Sequence, residues 1–144
     1  MAKTITSANS VLALSVTNLY PVPQIIQGFA ADDAFTNDSI ELAEVVMGVD
    51  GHLSAGYIFN PVKLTINIMP DSPSATLFDN WANATKTARE VYMCAGSIQL
   101  PSIGKKYTLI NGVMTSYKAA PDARRVLQAT QYVITFESVI GEVI

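Results

Sequence analysis

The stretch Val62-Lys63-Leu64-Thr65-Ile66-Asn67-Ile68-Met69-Pro70-Asp71-Ser72-Pro73-Ser74 decides how the chain is read. Its first half alternates, with Val62, Leu64, Ile66 and Ile68 on one side of an extended backbone and Lys63, Thr65 and Asn67 on the other. A period of two predicts a strand with one dry and one wet face. Pro70-Asp71-Ser72-Pro73 stops that strand and opens a helix, because Ser72 can cap it and Pro73 has φ preset for the first helical position. Leu77, Trp81, Ala84, Ala88 and Val91 then recur at helical spacing, while Asp79, Asn80, Asn83, Lys86, Thr87, Arg89 and Glu90 fill the other face. The helix is expected from about Ser72 to Val91, with Trp81 as a packing residue against the sheet.

Strand signals surround this unit. Upstream, Pro21 and Pro23 precede an expected strand over Gln24 to Ala31, where Gly28 suggests a bend. A turn-rich segment, Asp32 to Asp38, leads into a second strand over Ser39 to Met47, and the two should pair as a hairpin. Asp50-Gly51 is a tight-turn signal, and Leu53 to Phe59 follows as a third strand. Downstream, strands are expected over Tyr92 to Leu100, Lys106 to Lys118 and Arg125 to Val139. Asn111-Gly112 inside the second of these is either a hairpin turn or a bulge. In the last, Val126, Gln128, Thr130, Tyr132, Ile134 and Phe136 share one side, and Leu127, Ala129, Gln131, Val133, Thr135 and Glu137 the other. The fold class is therefore mainly β: a barrel or sandwich of about 6–8 antiparallel strands with one flanking α-helix.

At 144 residues the chain fits one domain over 1–144, beginning with a polar segment over residues 1–20. Hydrophobic residues make up 49% and charged residues 15%, against about 25% charged in an ordinary soluble domain. An undercharged surface suits a protein covered by copies of itself. The most continuous apolar run, Val11 to Val16, contains Ser15 and is far below the roughly 20 residues of a spanning helix. It is also too short, and too poorly preceded by bases, for a signal peptide. Charge is uneven. Asp32, Asp33, Asp38, Glu41, Glu44 and Asp50 face only Lys3 up to Asn60, whereas six acids meet eight bases beyond it. Such a division can set an acidic surface against a basic one in a head-to-tail joint, or it can disperse in space.

Chemistry-bearing groups are scarce. The one histidine, His52, follows the Asp50-Gly51 turn, so a catalytic triad would need an exposed loop base. The one cysteine, Cys94, sits in phase with Ile98 and Leu100 in an expected strand and reads as a small buried hydrophobe. A lone cysteine allows neither an intrachain disulfide nor a thiolate metal cluster. Asp32, Asp33 and Asp38 lack the spacing of an EF-hand, and no glycine-rich phosphate loop is present. Lys105-Lys106 and Arg124-Arg125 are the only basic pairs in a chain of net charge -3, too little for gripping duplex nucleic acid. No cofactor is expected. Lys63, Thr65, Asn67, Gln131 and Thr135 instead make a polar, nearly uncharged face.

Three segments, Gly28-Phe29-Ala30-Ala31-Asp32-Asp33-Ala34-Phe35, Met47-Gly48-Val49-Asp50-Gly51 and the Val62 to Ile68 strand with Asp71-Ser72-Pro73-Ser74, resemble the inner tail-tube proteins of contractile-tailed bacteriophages. The likeness runs from about Gln24 to Glu137. It implies a β-barrel with one flanking helix, hexameric rings stacked head to tail, a lumen that conducts DNA without specific binding, and no membrane. Implied partners are further copies of the chain, the tail sheath, the tail terminator, the baseplate hub and the tape measure protein. The implied location is the virion tail, reached by assembly in the host cytoplasm. Carried onto this sequence, the resemblance makes Asp32, Asp33, Asp38, Gly48, Asp50, Gly51 and His52 candidates for ring stacking. Lys63, Thr65, Asn67, Gln131, Thr135 and Glu137 become candidates for the lumen, and Asp79, Asn83, Lys86 and Glu90 for the sheath. Lys63 departs from the acidic lumen the resemblance implies; either Glu44 and Glu137 offset it, or a different face lines the lumen. Type VI secretion tubes share the architecture. A different class, a β-barrel binding a small ligand in a cavity lined by Trp81, Tyr92 or Phe136, is the other reading; enzymes rank last.

Overall fold

The computed structural model describes residues 10–26, 35–101, 103–118, 120 and 123–143. Nine strands and one helix occur among them: β1 Val11–Val16, β2 Tyr20–Ile25, β3 Phe35–Asn37, β4 Ala43–Met47, β5 Leu53–Tyr57, β6 Val62–Ile68, α1 Pro73–Ala88, β7 Cys94–Leu100, β8 Lys105–Tyr117 and β9 Thr130–Val143. Seven form one antiparallel sheet in the order β2-β1-β7-β8-β9-β6-β3, and β4 and β5 pair only with each other. The mainly β fold with one helix is as the sequence predicts.

The β6 alternation becomes burial. Leu64, Ile66 and Ile68 are fully buried and Val62 nearly so, facing inward with Tyr132, Ile134 and Phe136 of β9. β1 supplies Leu12, Leu14 and Val16 to the same contiguous core. In a flat sheet β1 and β6 would lie about 19 Å apart, at about 4.8 Å per strand. The sheet therefore curls, and α1 fills the remaining opening with Phe78 and Trp81. Phe78 stacks on Tyr132 with centroids 4.6 Å apart, and the Trp81 indole N–H donates to the Tyr92 carbonyl at 3.1 Å. Ser72 caps the helix by accepting from the Ser74 N–H at 3.1 Å, and Pro73 occupies its first turn.

Several expectations shift. Val11–Val16, read as part of a polar segment, is an interior strand whose even positions are dry and odd positions half-exposed. Its short length hid a period of two. The expected Gln24 to Ala31 strand falls mostly outside the described residues; β2 ends at Ile25 and holds both prolines. Pro23 is tolerated because β2 is an edge. The Ile26 N–H donates to the Leu12 carbonyl, so alternation turns position 23 outward, where no ladder bond is lost. The expected hairpin of that strand with Ser39 to Met47 is replaced by a β4–β5 hairpin, and the turn-rich segment ends in β3.

Asn111-Gly112 is a bulge within continuous β8, with Asn111 at φ 45° and a register slip opposite Cys94 and Gly96. Gly112 lets the β8 backbone press on Phe136; an added Cβ would enter that ring and lie 3.0 Å from the Cys94 sulfur. The helical stripe is also revised. Ser74, Ala75, Leu77, Phe78, Trp81 and Ala82 are buried, whereas Ala88 and Val91 are exposed and Arg89, at φ 55°, ends the helix. Finally, Arg125 to Ala129 precede β9 instead of belonging to it. Their neighbours β6 and β8 end at the level of Thr130 and Tyr132, so Val126 and Leu127 have no strand to pair with and stand exposed.

Candidate assembly surfaces

The β4–β5 hairpin is organised by its turn. The Gly48 N–H donates to the His52 carbonyl at 2.8 Å, the Gly51 N–H to the Gly48 carbonyl at 3.0 Å, and the His52 N–H to the Asp50 carboxylate at 3.1 Å. Gly51 takes φ 86°, which a side chain would disfavour. The ladder pairs Ala43 with Tyr57, Val45 with Ala55 and Met47 with Leu53, so one face is wholly apolar. The other carries Glu44 opposite Gly56 and Val46 opposite Ser54. Tyr57 continues the apolar face into Phe59, edge to face at 4.8 Å. All of these side chains are exposed, Tyr57 by 70% and Phe59 by 87%, although a core would ordinarily claim them. A lone two-stranded hairpin is marginally stable in water, and an exposed apolar ribbon of this kind is characteristic of interaction surfaces.

The expected stacking residues divide. Gly48, Asp50, Gly51 and His52 form the hairpin tip, with the His52 imidazole 4.0 Å from the Asp50 carboxylate. Asp38 is exposed at the hairpin root, its N–H donating to the Lys63 carbonyl at 3.1 Å. Asp32 and Asp33 lie outside the described residues.

The expected lumen residues come together on the sheet face turned away from α1. Lys63 lies opposite Thr135, Thr65 opposite Val133 and Asn67 opposite Gln131. β8 extends this face with residues the sequence reading did not name. Asn111 donates to Glu137 at 2.7 Å, and the Thr115 and Thr135 hydroxyls lie 3.2 Å apart. Position parity along β8 carried that signal, but the bulge at Asn111 interrupts it. Glu137 brings an acid to the rim of the face, whereas Glu44 belongs to the hairpin.

The expected sheath residues are all exposed, with Asp79, Asn83 and Lys86 at helical spacing along one side of α1 and Glu90 just beyond its end. Asp79 accepts from the Tyr132 hydroxyl at 3.2 Å, and Lys86 sits over the Tyr117 ring at 4.8 Å. Asn83 is exposed between them on α1, and Glu90 follows the helix end at Arg89.

No group of three or more His, Cys, Asp or Glu side chains that could hold a metal occurs among the described residues. Burial pushes the Cys94 thiol up to about 12, so it stays protonated at neutral pH within the core. Trp81 and Phe136, expected to line a cavity in the ligand-binding reading, are fully buried in the core. An open cleft of about 450 Å³ lies elsewhere, among Phe35, Ile40, Val62, Leu100, Tyr107 and Val139.

Known structures share this overall fold. A chain in the sixfold-symmetrised baseplate of the anti-feeding prophage superposes with TM-score 0.63 at 14% identity, over 99% of this chain and 97% of that one. A chain in the sheath–tube complex of the PVC extracellular contractile injection system, in its extended state, gives 0.61 at 14% identity over 92% and 88%. A chain in the cap that terminates the anti-feeding prophage tube gives 0.65 at 13% identity over 100% and 94%. The fold is thus one used by contractile injection assemblies. Residues 3–140 match the family described as "Tail fiber protein gp32", and the chain belongs to that family of tail proteins. No curated protein matches it.

Proposed function

We propose that the chain is a ring-forming subunit of a contractile-tail inner tube, in which hexamers stack through the β4–β5 hairpin and the polar sheet face lines a channel for DNA. The observation that carries this is the hairpin: a chain with the fold of contractile injection components exposes an apolar ribbon that only another molecule can cover. The opposite sheet face supports the channel role, since Thr65, Asn67, Gln131 and Thr135 offer polar groups and few charges to a passing polyanion. Its further partners would be sheath, terminator, baseplate hub and tape measure proteins. A type VI secretion-type tube differs in partners and not in these surfaces.

Electron microscopy of concentrated protein tests the reading. Rings with sixfold symmetry, singly or stacked, are expected; a monomer at every concentration, also with a tail-tip initiator, overturns it. Membership of a family of tail fibre proteins favours a second reading, a subunit of a tail fibre. Slender rods without a lumen in the same images would decide for it.

A further inference from the structure

We infer that the receptor for the hairpin is the segment joining β8 to β9 on a second copy of the chain, centred on Arg124, Arg125, Val126 and Leu127. The inference rests on the self-association proposed above and names the surface that answers it. Two ends of the β6–β9 pair are contrasted. At the Val62 end the chain runs out into the hairpin, and residues 38–60 hold Asp38, Glu41, Glu44 and Asp50 with no lysine or arginine. At the Ile68 end, β9 begins at Thr130 beside the end of β8, and the connecting segment 118–129 holds Lys118, Arg124 and Arg125 against Asp122.

Both ends are also apolar and exposed. Val126 is 70% exposed and Leu127 49%, held out by an Ala123–Leu127 bridge and an Arg124 N–H bond to the Val126 carbonyl at 3.3 Å. The hairpin thus offers apolar surface among acids, and the segment offers apolar surface among bases. Because they leave opposite ends of the same strand pair, one chain cannot satisfy itself. A copy displaced along the strands brings each surface to its complement, and repetition makes an open stack with the same joint at every level. Charge complementarity fixes polarity and speeds encounter, while burial of the apolar side chains supplies the affinity.

Charge exchange tests the joint. One variant carries Glu41→Lys and Glu44→Lys, sparing Asp50 because it holds the turn; the other carries Arg124→Glu and Arg125→Glu. All four side chains are exposed, so each variant should melt as the unaltered chain does. Alone, each should need about tenfold more protein to assemble in sedimentation at low salt, and the equimolar mixture should recover assembly. Variants that assemble normally alone, or a mixture that stays dispersed while the unaltered chain assembles, overturn this receptor and leave the tube reading intact. An unaltered chain that never assembles overturns both. As a check independent of charge, Val49→Cys and Val126→Cys chains mixed and oxidised should link to each other in preference to themselves. Buried Cys94 does not compete. Equal homodimer and heterodimer yields would likewise sink the assignment.

Discussion

β6 and the β4–β5 hairpin are built from similar residues and meet opposite fates. In β6 every second side chain is apolar, and α1 and the curled sheet bury Leu64, Ile66 and Ile68 completely. In the hairpin Ala43, Val45, Met47, Leu53, Ala55 and Tyr57 also fall on one face, yet Val45 is 55% and Met47 63% exposed. The difference lies in position. β6 sits between β9 and β3, whereas among the described residues β4 and β5 hydrogen-bond as strands to each other alone. Apolar alternation therefore marks a face that can be buried, and the place of the strand in the sheet decides whether this chain buries it.

That contrast predicts a steep gradient of mutational effects. Trp81→Ala should cost about 3–5 kcal/mol in chemical denaturation, since it opens the core and strips the Tyr92 carbonyl of its donor. An unchanged midpoint would show that α1 is not needed to close the sheet. Gly112→Ala should cost about 1–3 kcal/mol, because Phe136 and Cys94 leave no space for a methyl group. Ser72→Ala removes the helix cap and should lower stability by about 1 kcal/mol, with Ser72→Asp restoring it. Smallest of all on the monomer, Val45→Ser with Met47→Ser should change unfolding by less than about 0.5 kcal/mol, as expected for exposed sites. The same pair should abolish assembly. A large loss of monomer stability would mean that the hairpin is covered within the chain.

Alkaline unfolding probes the core from another direction. Burial first, then the neighbouring Asp79 charge, pushes the Tyr132 hydroxyl from 10.0 up to about 12, and burial raises Cys94 from 9.0 to about 12. Both groups bind protons more tightly folded than unfolded. Their contribution is therefore complete below about pH 9 and is lost as pH rises toward about 12. Cys94→Ala should move the onset of the decline upward, toward the Tyr132 window. Hairpin substitutions should leave the whole profile in place.

Much of the protein was legible in its residues. The β6 alternation, the Ser72-Pro73 helix start, the tight turn at Asp50-Gly51 and the mainly β class are local signals, each set by side chains within a few positions. The alternation also placed Lys63, Thr65 and Asn67 on one wet face, and the scarcity of charge pointed to surfaces covered by other molecules. What only the tertiary structure decided is which apolar and charged side chains stand exposed. Val11–Val16 is interior because β2 and β7 flank it, Val126 and Leu127 are bare because no strand reaches them, and Asn111-Gly112 is a bulge and not a hairpin turn because β7 and β9 pair with β8 on both sides of it, the β7 register slipping there. Pairing depends on contacts between distant parts of the chain, and so does the separation of the acidic hairpin from the basic Arg124-Arg125 segment. A linear pattern records that charges differ along the chain; only the strand order carries them to opposite ends.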